Sequence, residues 1–264
     1  MITEQSFLSQ DFLMSYLAKD NESTQNILFL HDLAINKTVY AQVMRNCTTA
    51  NCFAMDFRYH GHSAARGPQT VASFGKDIIN WIKALQVKQY TIVASGIAAW
   101  IVESIQKQIT PDHYLFLDGG YHDPRLLPDP LTEIPLPQFD TVNLLSAAIL
   151  TQISGMRASG VTFDEVSQQA LYIAMYHDYR RQDEQYSNHV LDAVYLHVYN
   201  DLQRHHYALP EHTTLIRSEF EQTIDNAAVQ SAWHLAGEGA QLITVPKTNH
   251  YLMVTQPQAI LKAL

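Results

Sequence analysis

The sequence predicts an α/β protein built around a mostly parallel sheet. Short, continuously apolar runs recur along the chain, beginning with Asn26 to Leu30, and such runs are typical of strands that are covered on both faces. Stretches with helical periodicity separate these runs, and the alternation of strand and helix is typical of a parallel sheet flanked by helices. The chain has 264 residues, of which 47% are hydrophobic, so it can bury a sizeable core.

The elements follow in order from the N-terminus. Residues Phe7 to Lys19 alternate loosely between apolar and polar positions and predict an antiparallel edge hairpin. Buried strands are predicted at Asn26 to Leu30, Asn51 to Asp56, Tyr90 to Ser95, Tyr114 to Asp118, Thr213 to Arg217 and Ala240 to Val245. Helices are predicted at Thr38 to Arg45, Val71 to Leu85, Ala98 to Ile109, Asn226 to Ala236 and Pro257 to Leu264.

The alternation breaks between Tyr121 and Leu209. This stretch begins with a proline-rich run and continues as helix-like sequence without a buried-strand pattern. An insertion after the fourth parallel strand is expected to lie over the carboxyl ends of the strands, where open α/β sheets bind ligands. We therefore predict a core formed by residues 1–120 and 210–264, with residues 121–209 as a helical cap.

The charge balance and the cysteine content exclude several function classes. Seventeen Lys and Arg against 26 Asp and Glu give a net charge of -9, which disfavours nucleic acid and anionic membrane surfaces as partners. Cys47 and Cys52 are too few for a disulfide framework and fit buried thiols in a reducing compartment. With no signal peptide pattern and no long apolar span, we expect a cytoplasmic protein whose partner is a small molecule. The oligomeric state is not predicted.

Three loops at predicted strand ends carry recognisable motifs. They are His31-Asp32-Leu33 after the first buried strand, the run from Asp56 to Ser63 after the next, and Asn249-His250-Tyr251 ahead of the helix that begins at Pro257. In order and spacing these loops resemble the α/β-hydrolase fold superfamily, with its His-Gly turn, its Asp-x-Arg-Gly-x-Gly-x-Ser loop and its late catalytic histidine. The resemblance covers essentially the whole chain and implies the α/β-hydrolase fold.

The nucleophile elbow departs from that family pattern. Members of the superfamily carry a Ser flanked by small residues on the sharp turn between strand and helix. Aligning Tyr90 to Val93 with the strand places Gly96 at the nucleophile position, whereas choosing Ser95 would put the larger Val93 and Ile97 at positions that must be small. Without a hydroxyl at position 96, an acyl-enzyme cannot form. A third alternative, a natural Ser replaced by Gly, would leave the departure at Asp32 unexplained.

The resemblance also implies a catalytic histidine and a partner acid. His250 matches the catalytic position, although a plain loop histidine is the alternative in a chain with thirteen histidines. The acid is Glu221 by analogy with the usual site after the penultimate strand, or Asp118 at the end of the preceding strand, with Asp225 as a weaker candidate. The choice depends on which carboxylate reaches the imidazole.

By the same resemblance, the backbone N–H groups of Leu33 and Ile97 form the oxyanion hole. Asp32 stands where the family usually has Gly, and His31 and Asp32 are assigned to the pocket. Two alternatives are left open for this carboxylate. It either lies beside the hole and disfavours a developing anion, or it points away toward His31 or a helix N-terminus.

No metal site and no cofactor are predicted. The cap region supplies several histidines but none at the spacing of a zinc site, namely His177, His189, His197, His205 and His206. No Gly-rich phosphate loop follows the first buried strand.

Two functions remain in competition. The first is an enzyme, hydrolase-like or similar to the cofactor-independent dioxygenases of the superfamily, in which His250 acts as a general base on a small molecule without a covalent Ser nucleophile. The alternative is a catalytically inactive ligand-binding or interaction protein that retains the fold.

Overall fold

A computed structural model describes residues 1–120, 123–124, 137–188, 192–205, 208–219 and 240–264. The predicted helix from Asn226 to Ala236 and the candidate acids Glu221 and Asp225 lie outside these residues, as do His189 and His206.

Within these ranges the main sheet has eight strands, in the order β1-β2-β4-β3-β5-β6-β9-β10. Strands β1 and β2 form an antiparallel hairpin, β2 pairs antiparallel with β4, and the remaining pairs are parallel. The strand bounds are β1 Ile2–Ser9, β2 Phe12–Lys19, β3 Asn26–Leu30, β4 Asn51–Met55, β5 Tyr90–Ser95, β6 His113–Leu117, β9 Thr213–Ser218 and β10 Gln241–Val245. The predicted fold class, a mostly parallel sheet with flanking helices, is confirmed.

Helices cover both faces of this sheet. Their bounds are α1 Ala41–Asn46, α2 Val71–Leu85, α3 Ile97–Ile105, α4 Val142–Ala158, α5 Glu165–Tyr176, α6 Asp192–Leu202, α7 Leu252–Thr255 and α8 Pro257–Ala263, with short 3₁₀ turns at Lys37–Tyr40 and Gln106–Gln108. None of the described helices is long and apolar enough to cross a membrane.

Strand β3 is buried on both faces, which explains why its sequence is a continuous apolar run. All five of its residues are buried. Leu28 and Leu30 join the apolar cluster that contains α2 and α3, whereas Ile27 and Phe29 join the cluster on the other face with α1 and α4. Because alternate side chains enter different cores, neither face of the strand is polar.

The segment between β6 and β9 is not purely helical. It holds α4, α5 and α6, but also a hairpin of β7 (Tyr179–Gln182) and β8 (Gln185–Asn188) that the sequence analysis read as helix-like. The two strands are four residues long and largely exposed, so they lack a buried-strand pattern. Their turn is made by Asp183 and Glu184 at φ 45° and 72°, without the glycine that usually signals it. The division into core and cap stays a prediction.

Helix α5 brings this segment onto the rest of the chain. It packs against α7, just after His250, and against the 3₁₀ turn that follows the His31-Asp32 loop. Two loops that carry predicted site residues therefore lie under the same helix.

Candidate active site

The tip of the turn after β5 is Gly96. This residue has φ 53° and ψ −126°, and α3 begins at the next residue, Ile97. A positive φ is strained for any residue with a Cβ, so the turn suits glycine. Ser95 lies in the last position of the strand, fully buried, and so does not occupy the tip.

The carboxylate of Asp32 fills the space above Gly96. A Cβ built on Gly96 would lie 2.2 Å from Asp32 Cγ, a separation that no real contact allows. Glycine at position 96 and aspartate at position 32 are therefore sterically matched. A serine at position 96 would require Asp32 to move.

Asp32 also occupies the predicted oxyanion hole. Its Oδ1 accepts hydrogen bonds from the backbone N–H of Leu33 at 2.8 Å and of Ile97 at 2.7 Å. The sequence left two alternatives for this side chain, a position beside the hole or one that points away toward a helix N-terminus. The structure combines them, because the hole itself lies at the N-terminus of α3 and the Asp32 carboxylate points into it. The two amides stabilise the negative charge of the carboxylate.

His250 contacts the other oxygen of the same carboxylate. Its Nε2 lies 2.8 Å from Asp32 Oδ2, and its Nδ1 lies 3.7 Å from Asp118 Oδ2. The side chain of His250 is 32% exposed and that of Asp32 17%, whereas Asp118 is buried. The result is a row of three groups, Asp32, His250 and Asp118, in which His250 and Asp32 are partly exposed to solvent and Asp118 is closed off from it.

Asp118 is fixed by a residue that the sequence analysis missed. Ser218, at the end of β9, donates its backbone N–H to Asp118 Oδ1 and its hydroxyl to Oδ2, both at 2.7 Å. The sequence offered one signal for this contact, since Asp118 ends one predicted strand and Ser218 directly follows the next, and the carboxyl ends of parallel strands meet at one edge of a sheet. Of the candidate acids, Asp118 is the one that the described residues bring to His250.

His31 holds the loop rather than lining a pocket. It is fully buried, its Nδ1 donates to the Asp32 carbonyl at 2.6 Å, and its Nε2 accepts from the Phe57 N–H at 3.1 Å. Burial lowers the pKa of His31 to about 4, so the ring is neutral at ordinary pH. The assignment of His31 to the pocket is therefore not supported by this geometry.

Comparison with solved structures identifies the architecture. An E-2-(acetamidomethylene)succinate hydrolase is similar at 16% identity and a TM-score of 0.75, covering 100% of this chain and 97% of that one. The thioesterase domain from the curacin biosynthetic pathway is similar at 12% identity and a TM-score of 0.74, covering 100% of this chain and 98% of that one. A haloalkane dehalogenase loop variant from Bradyrhizobium elkanii is similar at 13% identity and a TM-score of 0.62, covering 100% of this chain and 95% of that one. This chain has the α/β-hydrolase fold. No family model and no curated protein matches the sequence.

The loop after β4 connects neighbouring loops near the candidate site. Asp56 accepts hydrogen bonds from the Lys37 N–H at 2.9 Å and the His62 N–H at 2.8 Å, and it pairs with the Lys37 ammonium. Arg58 forms a buried ion pair with Asp77 at 2.6 Å. The motif from Asp56 to Ser63 thus joins loops together.

A second buried histidine completes this support. His60 accepts the Ala34 N–H on Nε2 at 3.2 Å and donates Nδ1–H to the Arg58 carbonyl at 2.9 Å. Burial lowers its pKa to about 3. The chain on either side of Asp32 and Leu33 is thus held by hydrogen bonds from two neutral histidines.

The histidines of the predicted cap segment are dispersed. His177 lies near His62, His197 contacts Gln69, and His205 lies near Asp201. In the described part of the chain, no three side chains of His, Cys, Asp or Glu are grouped closely enough to hold a metal ion.

Proposed function

We propose that this protein is a hydrolase-like enzyme for small molecules in which the Asp32 carboxylate takes the place of the serine nucleophile. One observation carries the proposal: Asp32 places Oδ1 between the two oxyanion-hole amides and Oδ2 against His250 Nε2. A carboxylate nucleophile is already ionised, so it needs a nearby histidine to activate water in the second step and backbone donors to stabilise the charge that then develops. Asp32 has both.

The position of Oδ1 indicates the kind of bond attacked. An ester or amide substrate needs the hole for its own carbonyl oxygen, but here the hole already holds the carboxylate. Attack at a saturated carbon creates no oxyanion on the substrate. In the first step Asp32 Oδ2 bonds to that carbon, the carbon–leaving-group bond breaks, and the leaving group departs with the electron pair.

The second step is hydrolysis of the resulting alkyl ester on Asp32. Alkylation removes the negative charge that held a proton on His250 Nε2, and the imidazole releases this proton to solvent. Neutral Nε2 then takes a proton from water while the water oxygen attacks Asp32 Cγ, and the proton that Asp32 later releases on ionisation restores the resting imidazole. The charge that develops on Oδ1 is stabilised by the N–H groups of Leu33 and Ile97. The Cγ–Oδ2 bond then breaks, the alcohol leaves with the proton from His250, and Asp32 keeps one oxygen from water, releasing the remaining proton on ionisation.

The same geometry constrains the leaving group. In-line attack expels it on the side of the carbon opposite Asp32, away from His250, so the imidazole cannot protonate it. A group that departs as a stable anion, such as a halide, meets this condition. The haloalkane dehalogenase among the similar structures is named for reaction at such a bond.

A specific observation favours a second candidate, a ligand-binding protein without catalysis. Asp32 satisfies both hole amides internally, which would also follow if the site had lost its chemistry. The two candidates differ in whether Asp32 becomes covalently modified.

Isotope labelling separates these candidates. The full chain is incubated with n-butyl bromide in water enriched in heavy oxygen, and the peptide containing Asp32 is weighed by mass spectrometry. We expect heavy oxygen in Asp32, a stable butyl adduct in His250→Gln, and neither in Asp32→Asn, while the exposed Asp11→Asn control behaves as wild type. Butanol formation without label in Asp32 would indicate general-base catalysis alone, and absence of both product and adduct would favour the binding protein. Phenyl acetate should give no acyl-enzyme.

A further inference from the structure

A cavity of about 300 Å³ lies beside the proposed nucleophile, between the cap segment and the core. Ala34, two residues after Asp32, and Tyr251, next to His250, both line it. Burial raises the pKa of Tyr251, and the nearby groups Asp178, Tyr179 and Asp32 add to that effect. The cavity thus lies next to the loops that carry Asp32 and His250, although neither of these two residues lines it.

Asp178 is a buried carboxylate in the wall of this cavity. Its side chain is 7% exposed, and its Oδ1 accepts one hydrogen bond, at 2.5 Å, from the amide of Asn36. Among the described residues it has no ion pair, and the charged group that acts on it is another carboxylate, Asp56. Burial therefore raises the pKa of Asp178 well above its usual range.

None of the salt bridges among the described residues includes Asp178. Arg180, two residues along the chain, donates to the Gly61 carbonyl instead. Lys37, on the same side of the molecule, is already paired with Asp56 and with Glu4. Burial disfavours the charged form of Asp178, and an ammonium ligand beside the carboxylate would stabilise that charged form on binding.

The rest of the wall suits an organic cation. The rings of Phe139 and Tyr179 meet edge to face at 5.6 Å, and both line the cavity with Tyr251 and Met175. Aromatic faces attract ammonium groups, and apolar walls accept their alkyl substituents. The amide groups of Gln152 and Asn188 also line the cavity.

We propose that this cavity binds the ammonium group of a small organic amine, with Asp178 as its counter-ion. As a substrate subsite this assignment rests on the proposed function, whereas the binding itself does not depend on catalysis. The substrate class is then a compound that carries a cationic group at one end and a reactive saturated carbon within reach of Asp32.

The test measures binding to the full chain by calorimetry with three probes of equal length: n-butylammonium, n-butanol and butyrate. We expect n-butylammonium to bind at least about tenfold more tightly than n-butanol, and butyrate not to bind. Asp178→Asn keeps the shape and the Asn36 contact and should bring the ratio of amine to alcohol affinity close to one. The matched control is Asp140→Asn, which removes the same charge from an exposed position of the same segment.

A second variant covers the case in which Asp178→Asn does not fold. Ala148→Phe fills the cavity from α4 and should abolish binding of both the amine and the alcohol. Equal affinity for amine and alcohol in the wild type would overturn the proposal, as would unchanged amine preference in Asp178→Asn. Repeating the titration in Asp32→Asn separates the two proposals, because amine binding should survive there even though alkylation does not.

Discussion

At the scale of single residues, the site depends on the steric match between positions 32 and 96, because an aspartate at position 32 leaves no room for a side chain at position 96. A Cβ at position 96 would overlap the Asp32 carboxylate, and the φ of 53° adds backbone strain. We predict that Gly96→Ala destabilises the protein by about 2 kcal/mol or more. In the double variant with Asp32→Gly, part of that loss should be recovered, since the clash is gone and only the strain remains.

Chemical denaturation of the four proteins in this mutant cycle gives the coupling free energy. Gly155→Ala is the matched control, because it lies on α4 and a Cβ there meets nothing within 4 Å. That control should be neutral or stabilising by up to about 1 kcal/mol. Additive effects of the substitutions at positions 32 and 96 would show that the two side chains do not compete for space.

Much of this site could be predicted from the sequence, but not the direction of one side chain. The position of the elbow follows from where an apolar strand ends and a helix begins, and the resemblance to the α/β-hydrolase superfamily implied the amides of Leu33 and Ile97 as donors. Whether Asp32 points into the hole depends on Gly96, 64 residues away, and on a rotamer that local pattern does not encode. The available signal for this side-chain direction was that the sequence departs from the family pattern at two positions, with Gly96 in place of a serine and Asp32 in place of a glycine.

At the scale of elements, the hairpin β7–β8 shapes the proposed amine cavity. Its end pair, Tyr179 opposite Asn188, lines that cavity, and Phe139 pairs with Tyr186 along its edge. Continuous burial revealed the strands of the main sheet, whereas these short, exposed strands gave no such pattern. The turn residues Asp183 and Glu184 both have positive φ, which costs L-residues free energy.

Relieving this turn should stabilise the hairpin. We predict that Glu184→Gly raises the stability of the hairpin by about 1 kcal/mol, because glycine adopts a φ of 72° without strain. Hydrogen exchange of the amides in β7 and β8 measures the local effect, and Glu184→Ala, which keeps the Cβ, serves as the control. Faster exchange in the glycine variant than in the alanine variant would contradict the strain argument.

At the scale of the whole molecule, the two buried histidines make the fold sensitive to acid. The folded-state pKa is lowered to about 4 for His31 and to about 3 for His60, against about 6.5 for an unfolded chain. Above pH ~6.5 neither state binds these protons, so the stability is fully present there. As the pH falls toward the folded-state pKa values, these histidines bind protons in the unfolded state but not in the folded state, so the folded state loses stability.

We therefore predict that the free energy of unfolding decreases between about pH 6.5 and pH 4 by up to about 1.4 kcal/mol per pH unit for each of these histidines. The readout is the slope of this free energy against pH, from urea titrations across that range, and not the stability at any one pH. His60→Asn should reduce the slope by the contribution of one histidine, up to about 1.4 kcal/mol per pH unit, even though the substitution also removes two loop contacts. His197→Asn, at an exposed position, should leave the slope unchanged. A wild-type slope near zero over this range, or an equal change in both variants, would show that acid acts through other groups.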